Sequence, residues 1–256
     1  MSETTNPNLP TVVLVHGAFA DASSWNGVIE RLQAKGVQVT APANPLRGIA
    51  ADSAYIASVL GQIDGPVLAV GHSYGGAVIT NAATEAENVV GLVYVAAFAP
   101  NEGETLGAVE AGSKDSVLNS ALVPRQYPTA DGGSATEFSI DPTKARDAFA
   151  GDLSDGQAAL IAATQRPVAD AAFGEPNGPP AWKRLPSWAV VATGDKAAGT
   201  DVVRSMAERA RRQDHGGRGL ARDHGLAAPS GDRRHPRSGR RRFGAARRLG
   251  VRAVGS

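Results

Sequence analysis

The sequence contains no cysteine, and this absence removes a whole group of chemistries. Without thiols the chain has no disulfide framework, no thiolate metal site and no cysteine nucleophile. Long apolar runs are missing too, since no stretch approaches the ~20 apolar residues of a membrane span. The polar residues 1–10 lack the basic start and apolar core of a signal peptide. We therefore expect a cytoplasmic protein with no membrane partner.

Charge of both signs is present, but it is divided unevenly along the 256 residues. Residues 1–210 hold 13 Lys and Arg against 22 Asp and Glu, whereas residues 211–256 hold 13 Arg against three Asp. The net charge of +1 conceals this division. An apolar content of 42% is sufficient for a sizeable core, and an α/β chain of this length is commonly one domain.

Short apolar runs alternate with amphipathic helices over the first hundred residues. The predicted strands are 11–15, 37–41, 66–70 and 89–97. The helical spacing of apolar residues is seen at Trp25, Val28, Ile29 and Leu32, and again at Ile56, Val59, Leu60 and Ile63. Strands that are apolar throughout and alternate with helices indicate a mostly parallel sheet covered on both faces. The expected fold class is therefore a doubly wound α/β sheet.

The pattern changes after Pro100 and returns near residue 184. Residues 101–183 are rich in Gly, Pro, Ser, Ala and Asp, have weak periodicity and show no strand of comparable quality. A strand at 188–193 and a helix at about 200–210 then resume the earlier pattern. We predict a core made of residues 1–100 and 184–210 with an inserted cap, or lid, at 101–183.

A Gly-x-Ser-x-Gly pattern occupies residues 71–75, between a predicted strand and a predicted helix. Glycines permit the tight, strained turn that exposes a serine hydroxyl in a nucleophile elbow. The pentapeptide alone is a modest signal, but its position favours Ser73 as a nucleophile over an ordinary Gly-rich turn. The tetrahedral oxyanion needs N–H donors, and we assign these to the amides of Tyr74 and Ala18.

Two histidines lie close to these segments, and neither is predicted to be the catalytic base. We expect His16 to shape its loop by hydrogen bonding. His72 is expected to be structural, because its side chain leaves the elbow on the side away from Ser73.

Four segments of the chain together resemble one protein family. They are His16-Gly17-Ala18 with Trp25 downstream, the elbow at 71–75, the segment Tyr94 to Pro100, and the segment Val191 to Lys196. Over residues 10–210 the chain resembles the α/β-hydrolases, in particular the methyl-ester esterase and hydroxynitrile lyase branch and its bacterial relatives. The resemblance implies a Ser-Asp-His triad in which Ser73 is the nucleophile and Asp195 the acid. From the residues alone, a turn or helix-capping role for Asp195 is equally acceptable.

Two positions narrow the reaction that the resemblance implies. The lyase members carry Thr where Gly17 stands, so the chain resembles the esterase side. A serine at the elbow argues against epoxide hydrolases and haloalkane dehalogenases, which need a carboxylate nucleophile. We expect hydrolysis of a small-molecule ester through an acyl-enzyme on Ser73, with perhydrolysis left open, and with no cofactor and no metal.

The segment 211–256 departs from what the resemblance implies. It holds 13 Arg and nine Gly in 46 residues and shows no helical or strand period, so we predict an irregular, disordered tail. His224 lies closest in sequence to the expected place of the base, with His215 and His235 as alternatives. We therefore expect impaired activity, and the alternative reading is a catalytically inactive relative that binds a small molecule.

A shift of reading frame near Ala210 is our hypothesis for this break. Read one base later with permissible codons, residues 211–237 can encode an alternating strand, a Ser-His-Val segment and an amphipathic helix. Sequencing the gene around the codon for Ala210 tests the hypothesis, and an in-frame read through Ser256 counts against it. The clustered arginines favour adventitious polyanion binding over a specific nucleic-acid site, because Phe243 is the only aromatic residue beside them.

Overall fold

A computed structural model of the chain describes residues 9–211 and 251–253. The strands in these residues are Thr11–Val15 (β1), Val39–Thr40 (β2), Val67–His72 (β3), Val89–Val95 (β4), Leu122–Pro128 (β5), Ser134–Ile140 (β6), Val168–Ala169 (β7), Ser187–Ala192 (β8) and Val251–Ala253 (β9). The α-helices are Asn26–Gln33 (α1), Ile49–Gly61 (α2), Tyr74–Ala82 (α3), Leu106–Ala111 (α4), Ala145–Phe149 (α5), Asp155–Thr164 (α6), Ala171–Gly174 (α7) and Thr200–Arg211 (α8).

The main sheet has the order β2-β1-β3-β4-β8-β9 in the described part of the chain. Every neighbouring pair from β2 to β8 is parallel, and β9 runs antiparallel to β8. The prediction of a doubly wound, mostly parallel sheet is confirmed. The strand order reverses between β1 and β3, and ligands of open α/β sheets bind beyond the carboxyl ends of the strands at such a switch point.

Both faces of the sheet are buried, as the uninterrupted apolar strands predicted. Alternate residues of β1 enter different clusters: Val13 and Val15 pack with α2 and α3, whereas Val12 and Leu14 pack with Trp25 and α1. This alternation is the two-residue period of a strand. The sheet therefore forms a rigid centre from which the connecting loops emerge at the carboxyl edge.

The long segment between β4 and β8 contains a second, antiparallel sheet of order β5-β6-β7. The expectation that no good strand occurs there was wrong, because β5 and β6 have seven residues each. Most of β5 is exposed or half-exposed, so it lacks the apolar alternation by which a strand is recognised. A turn closed by the Thr129 amide donating to the Gly133 carbonyl joins β5 to β6. The assignment of residues 101–183 as a cap stays a prediction.

Several boundaries differ from those predicted. β3 continues two residues further than expected, to His72, and α3 begins at Tyr74, so that only one residue lies between them. In the predicted irregular tail, Arg211 ends α8 and Val251–Ala253 form a strand, which the sequence did not indicate. The rest of the tail, including His215, His224 and His235, lies outside the described residues. Within residues 9–211, no helix has the length and apolar character of a membrane span.

Candidate active site

Ser73 is the single residue that separates β3 from α3. Its φ of 49° and ψ of −121° place it in a region that residues with a Cβ rarely adopt. Neighbouring backbone holds it there: its amide donates to the Val95 carbonyl at 3.3 Å, and its carbonyl accepts from the amides of Gly76 at 2.9 Å and Phe98 at 3.2 Å. The strained conformation persists because β4 and the residues after it fix both sides of the peptide.

The glycines of the elbow allow a very close approach of main chains. A Cβ added at Gly75 would lie 2.3 Å from the Val15 carbonyl oxygen, and one at Gly71 would lie 2.5 Å from the Gly75 carbonyl oxygen. Both neighbours are backbone atoms, which cannot rotate aside as the end of a side chain can. The start of α3 therefore rests directly against the end of β1.

The loop after β1 lies against the same serine. A Cβ at Gly17 would come within 2.8 Å of the Ser73 Cβ and 3.0 Å of the His72 carbonyl oxygen. Ala18 and Tyr74 line one cleft together with Ser73. Neither of their amide N–H groups is found to donate to another residue in the described part of the chain. The two N–H groups assigned from the sequence as oxyanion donors therefore belong to residues that border the serine.

His16 is buried and fully engaged in hydrogen bonds. Its Nε2 accepts from the Asn44 amide at 2.9 Å, so Nδ1 carries the proton and donates to the Gly17 carbonyl at 3.0 Å. The Asn44 side chain also donates to the His16 carbonyl at 3.1 Å. Burial lowers the pKa of His16 below its ordinary value. The predicted role of His16 in shaping the loop is confirmed.

His72 lies on the other side of the elbow. Its ring meets the Trp25 ring edge-on, with centroids 6.2 Å apart and planes at 88°. Burial lowers the pKa of His72 to about 4. A histidine with this pKa is neutral at physiological pH, and its packing against Trp25 agrees with the structural role predicted for it.

Asp195 lies in the turn after β8, at the same carboxyl edge of the sheet as Ser73. Its Oδ1 accepts from the amides of Ala197 at 2.9 Å and Ala198 at 3.0 Å, and both of these residues line the Ser73 cleft. Its own amide donates to Thr200 Oγ1 at 3.1 Å. Burial raises the pKa of Asp195, and the amide hydrogen bonds oppose that rise. The turn role that the residues alone allowed is thus present in the structure.

A comparison of the sequence with known protein families agrees with this architecture. The model described as the alpha/beta hydrolase family matches residues 12–236. The chain belongs to the alpha/beta hydrolase family. The resemblance noted in the sequence is confirmed at this level, and the matched range ends inside the Arg-rich segment.

Solved structures similar to this α/β-hydrolase include three esterases or related hydrolases. Polyneuridine aldehyde esterase has a TM-score of 0.65 and 20% identity, with 79% of this chain and 88% of that chain covered. A pyrethroid hydrolase has a TM-score of 0.63 and 22% identity, covering 78% and 84%. A methylesterase from Arabidopsis has a TM-score of 0.62 and 19% identity, covering 78% and 85%. Similarities at these identities establish the fold.

A curated relative is the carbendazim hydrolyzing esterase of Nocardioides sp. (strain SG-4G). It is 36% identical over 110 residues, which cover 38% of this chain and 46% of the relative. The α/β-hydrolase described here thus matches about half the length of that protein.

A buried hydrogen bond in this α/β-hydrolase was not foreseen from the sequence. The Tyr74 hydroxyl donates to Asp52 Oδ2 at 2.8 Å, and Asp52, which is fully buried, also accepts from the Arg47 amide at 3.0 Å. Burial raises the pKa of Asp52. The contact ties the residue after Ser73 to α2. The two partners are 22 residues apart, so no local pattern could have indicated it.

The walls of the Ser73 cleft are almost entirely apolar. The cleft is narrow: its enclosed volume is about 10 Å³, room for about one water molecule, and the wider space of about 310 Å³ includes open solvent at its mouth. Besides Ser73 and Tyr74, the lining residues are Ala18, Phe19, Phe98, Leu118, Phe149, Phe173, Ala197, Ala198 and Glu110. Glu110 was not singled out in the sequence. It lies on α4, a six-residue helix in the segment of weak periodicity, and is only 5% exposed.

Proposed function

We propose that the protein is a serine hydrolase of small carboxylic esters that forms an acyl-enzyme on Ser73. The observation that carries this proposal is the geometry of the elbow. Ser73 has a positive φ at the bend between β3 and α3, and the Gly17 loop lies against its Cβ. This is the arrangement in which a nucleophile and its oxyanion donors meet in α/β-hydrolases.

In the proposed reaction, Ser73 Oγ attacks the ester carbonyl carbon while its proton passes to a base. The amides of Ala18 and Tyr74 donate to the carbonyl oxygen as it becomes negatively charged. The carbon–oxygen bond to the alcohol then breaks, and the alcohol leaves with the proton. Water hydrolyses the acyl-enzyme by the same steps and restores the serine.

The proposal assigns the base to a histidine after Arg211, oriented by Asp195. His224 is the first choice, with His215 and His235 as alternatives. A carboxylate in this role holds the imidazole in the correct tautomer and stabilises the imidazolium that forms. The assignment is supported by Ala197 and Ala198, which line the Ser73 cleft and whose amides donate to Asp195 Oδ1.

The proposed cap contributes part of the lining of the cleft. Glu110, Leu118, Phe149 and Phe173 all come from residues 101–183 and line the cleft together with Ser73. The names of the similar proteins support the reaction class, because polyneuridine aldehyde esterase, the methylesterase and the carbendazim hydrolyzing esterase are all described as esterases.

Covalent labelling tests the proposal. The protein is treated with a fluorophosphonate and, separately, with p-nitrophenyl acetate, and the adduct is located by peptide mass spectrometry. We expect modification of Ser73 and none after Ser73→Ala. Ser58→Ala, which removes an exposed serine hydroxyl from α2, serves as the matched control and keeps the adduct. A modified residue other than Ser73, or an equal adduct in the Ser73→Ala variant, contradicts the proposal.

A second candidate function is a protein that binds a small molecule without turning it over. One observation favours it: none of the cleft-lining residues in the described part of the chain is a histidine. Under this alternative, ligands occupy the cleft but Ser73 is not labelled. The labelling experiment, run beside a binding measurement, therefore separates the two functions.

A further inference from the structure

Among the described residues that line the Ser73 cleft, Glu110 is the one with an acidic side chain. Four phenylalanine rings share that lining, contributed by Phe19, Phe98, Phe149 and Phe173. Glu110 is 5% exposed, so nearly all of it is removed from water. Burial of a carboxyl group in such surroundings costs desolvation free energy unless a hydrogen-bonding or charged partner offsets it.

Glu110 has little compensation in the described part of the chain. Its Oε1 accepts from Ser116 Oγ at 3.0 Å. The same hydroxyl lies 2.7 Å from the Ala197 carbonyl and has one proton, so it can donate to only one of the two at a time. None of the ion pairs found among residues 9–211 includes Glu110.

The carboxyl group of Asp195 adds to this imbalance. Burial raises the pKa of Glu110, and the Asp195 carboxylate raises it further. The described lining of the cleft thus combines one buried carboxyl group with four phenylalanine side chains, and it contains no Lys, Arg or His. Aromatic faces attract cations through the ring quadrupole, and a buried carboxylate is best satisfied by a hydrogen-bonding cation.

We propose that Glu110 is the specificity-determining residue of this cleft and that it selects esters carrying an ammonium group. The ammonium would bind the Glu110 carboxylate against the phenylalanine rings, while the ester carbonyl lies at Ser73. This inference rests on the proposed function for its substrate class. The ammonium site itself is a property of the cleft lining and can be tested without turnover.

Three ligands of similar shape and different charge test the site. Benzylamine is a cation at neutral pH, benzyl alcohol is neutral and benzoate is an anion. Their affinities for the full chain are measured by calorimetry. We expect benzylamine to bind about tenfold tighter than benzyl alcohol, since a charge-assisted hydrogen bond in a desolvated site has at least this effect, and benzoate to bind most weakly.

Substitution of the carboxyl group identifies the cause of that preference. Glu110→Gln keeps the shape and removes the charge, and we expect benzylamine and benzyl alcohol then to bind within about twofold of each other. Glu110→Met is a second variant of similar size with the same expected result. Glu102→Gln is the matched control, because it removes an exposed charge eight residues away and should keep the tenfold preference. Equal affinity of the two ligands for the unaltered chain, or a preference that survives both Glu110 substitutions, overturns the proposal.

Repeating the series in Ser73→Ala separates this inference from the proposed function. That variant keeps the carboxyl group and loses the nucleophile. A preference for benzylamine in both proteins supports the Glu110 site, even if the unaltered chain gives no Ser73 adduct. Labelling of Ser73 without any preference for benzylamine supports the esterase and overturns the ammonium site.

Discussion

The two sides of the cleft are built in different ways. On the side of Ser73, the proposed nucleophile side, main chains touch so closely that a Cβ at Gly75 would lie 2.3 Å from the Val15 carbonyl oxygen. On the side of Asp195, the proposed acid side, hydrogen bonds hold a more open turn, where a Cβ at Gly194 would meet no atom of the described residues within 4 Å. The nucleophile side is therefore fixed by sterics within residues 9–211, whereas the proposed base of the acid side comes from residues after Arg211.

The largest expected effect concerns that acceptor. As written, the chain should hydrolyse p-nitrophenyl acetate weakly or not at all. Replacing His215, His224 and His235 together by Ala should abolish any hydrolysis that depends on Ser73, because loss of the base of a triad lowers the rate by about 10³-fold or more. Initial rates measured with equal amounts of folded protein provide the test. Full activity in the triple variant would show that the acid side is complete without these histidines.

The steric difference between the two sides can be tested by adding one methyl group to each side through a Gly→Ala substitution. Gly75→Ala places a Cβ against backbone and should reduce the free energy of unfolding by about 3 kcal/mol. Gly194→Ala, the same change on the acid side, should alter it by less than about 0.5 kcal/mol. Urea denaturation of both variants measures the contrast. Equal stability of the two would mean that the nucleophile side is no more tightly packed than the acid side.

A milder substitution probes the oxyanion loop. Gly17→Ala brings a Cβ to 2.8 Å from the Ser73 Cβ, so the loop must move away from the serine. We expect the rate of fluorophosphonate labelling to fall by about tenfold, the effect of displacing one oxyanion donor in part, while the melting temperature changes little. Gly27→Ala, on the outer surface of α1, is the control that should label at the normal rate. An unchanged rate in Gly17→Ala would separate this loop from the chemistry.

The smallest effect is electrostatic and concerns the buried carboxyl group of Glu110 in the proposed cap. Burial raises the pKa of Glu110 above its ordinary value of 4.5, so the folded state binds this proton more tightly than the unfolded state. Stability attributable to Glu110 is therefore lost as pH rises from 4.5 through the raised pKa.

Glu110→Gln removes that loss. At neutral pH we expect its melting temperature to exceed that of the unaltered chain by about 2–4 °C, which corresponds to an increase of about 1 kcal/mol in the free energy of unfolding. At acidic pH, where the glutamate is protonated, the two melting temperatures should be equal. Thermal melts across pH measure both values. A variant that is less stable at neutral pH would indicate that a cation already compensates Glu110.

The sequence predicted those parts of the fold whose signals are local. β1 was predicted with its observed bounds because five consecutive β-branched or apolar residues precede a turn. The elbow was predicted because Gly71 and Gly75 are needed wherever a strand turns this sharply into a helix and the main chains touch. The strands β5 and β6 were missed, since exposed strands need no apolar alternation.

The residues missed in the site depend on contacts between distant parts of the chain. Asp52 is significant because Tyr74 donates to it across two elements. Glu110 gains its importance from Ser116 and from rings contributed by separate segments. Contacts between distant segments leave no repeating pattern in the sequence, so these residues could be recognised only from the structure.

A crystal structure of the fluorophosphonate adduct tests the central claim most directly. That claim is that Ser73 faces the amides of Ala18 and Tyr74 before any substrate arrives. We predict a phosphonyl oxygen within about 3 Å of both amide nitrogens, with the phosphorus bonded to Ser73 Oγ. An adduct on another residue, or a phosphonyl oxygen directed away from both amides, would contradict it.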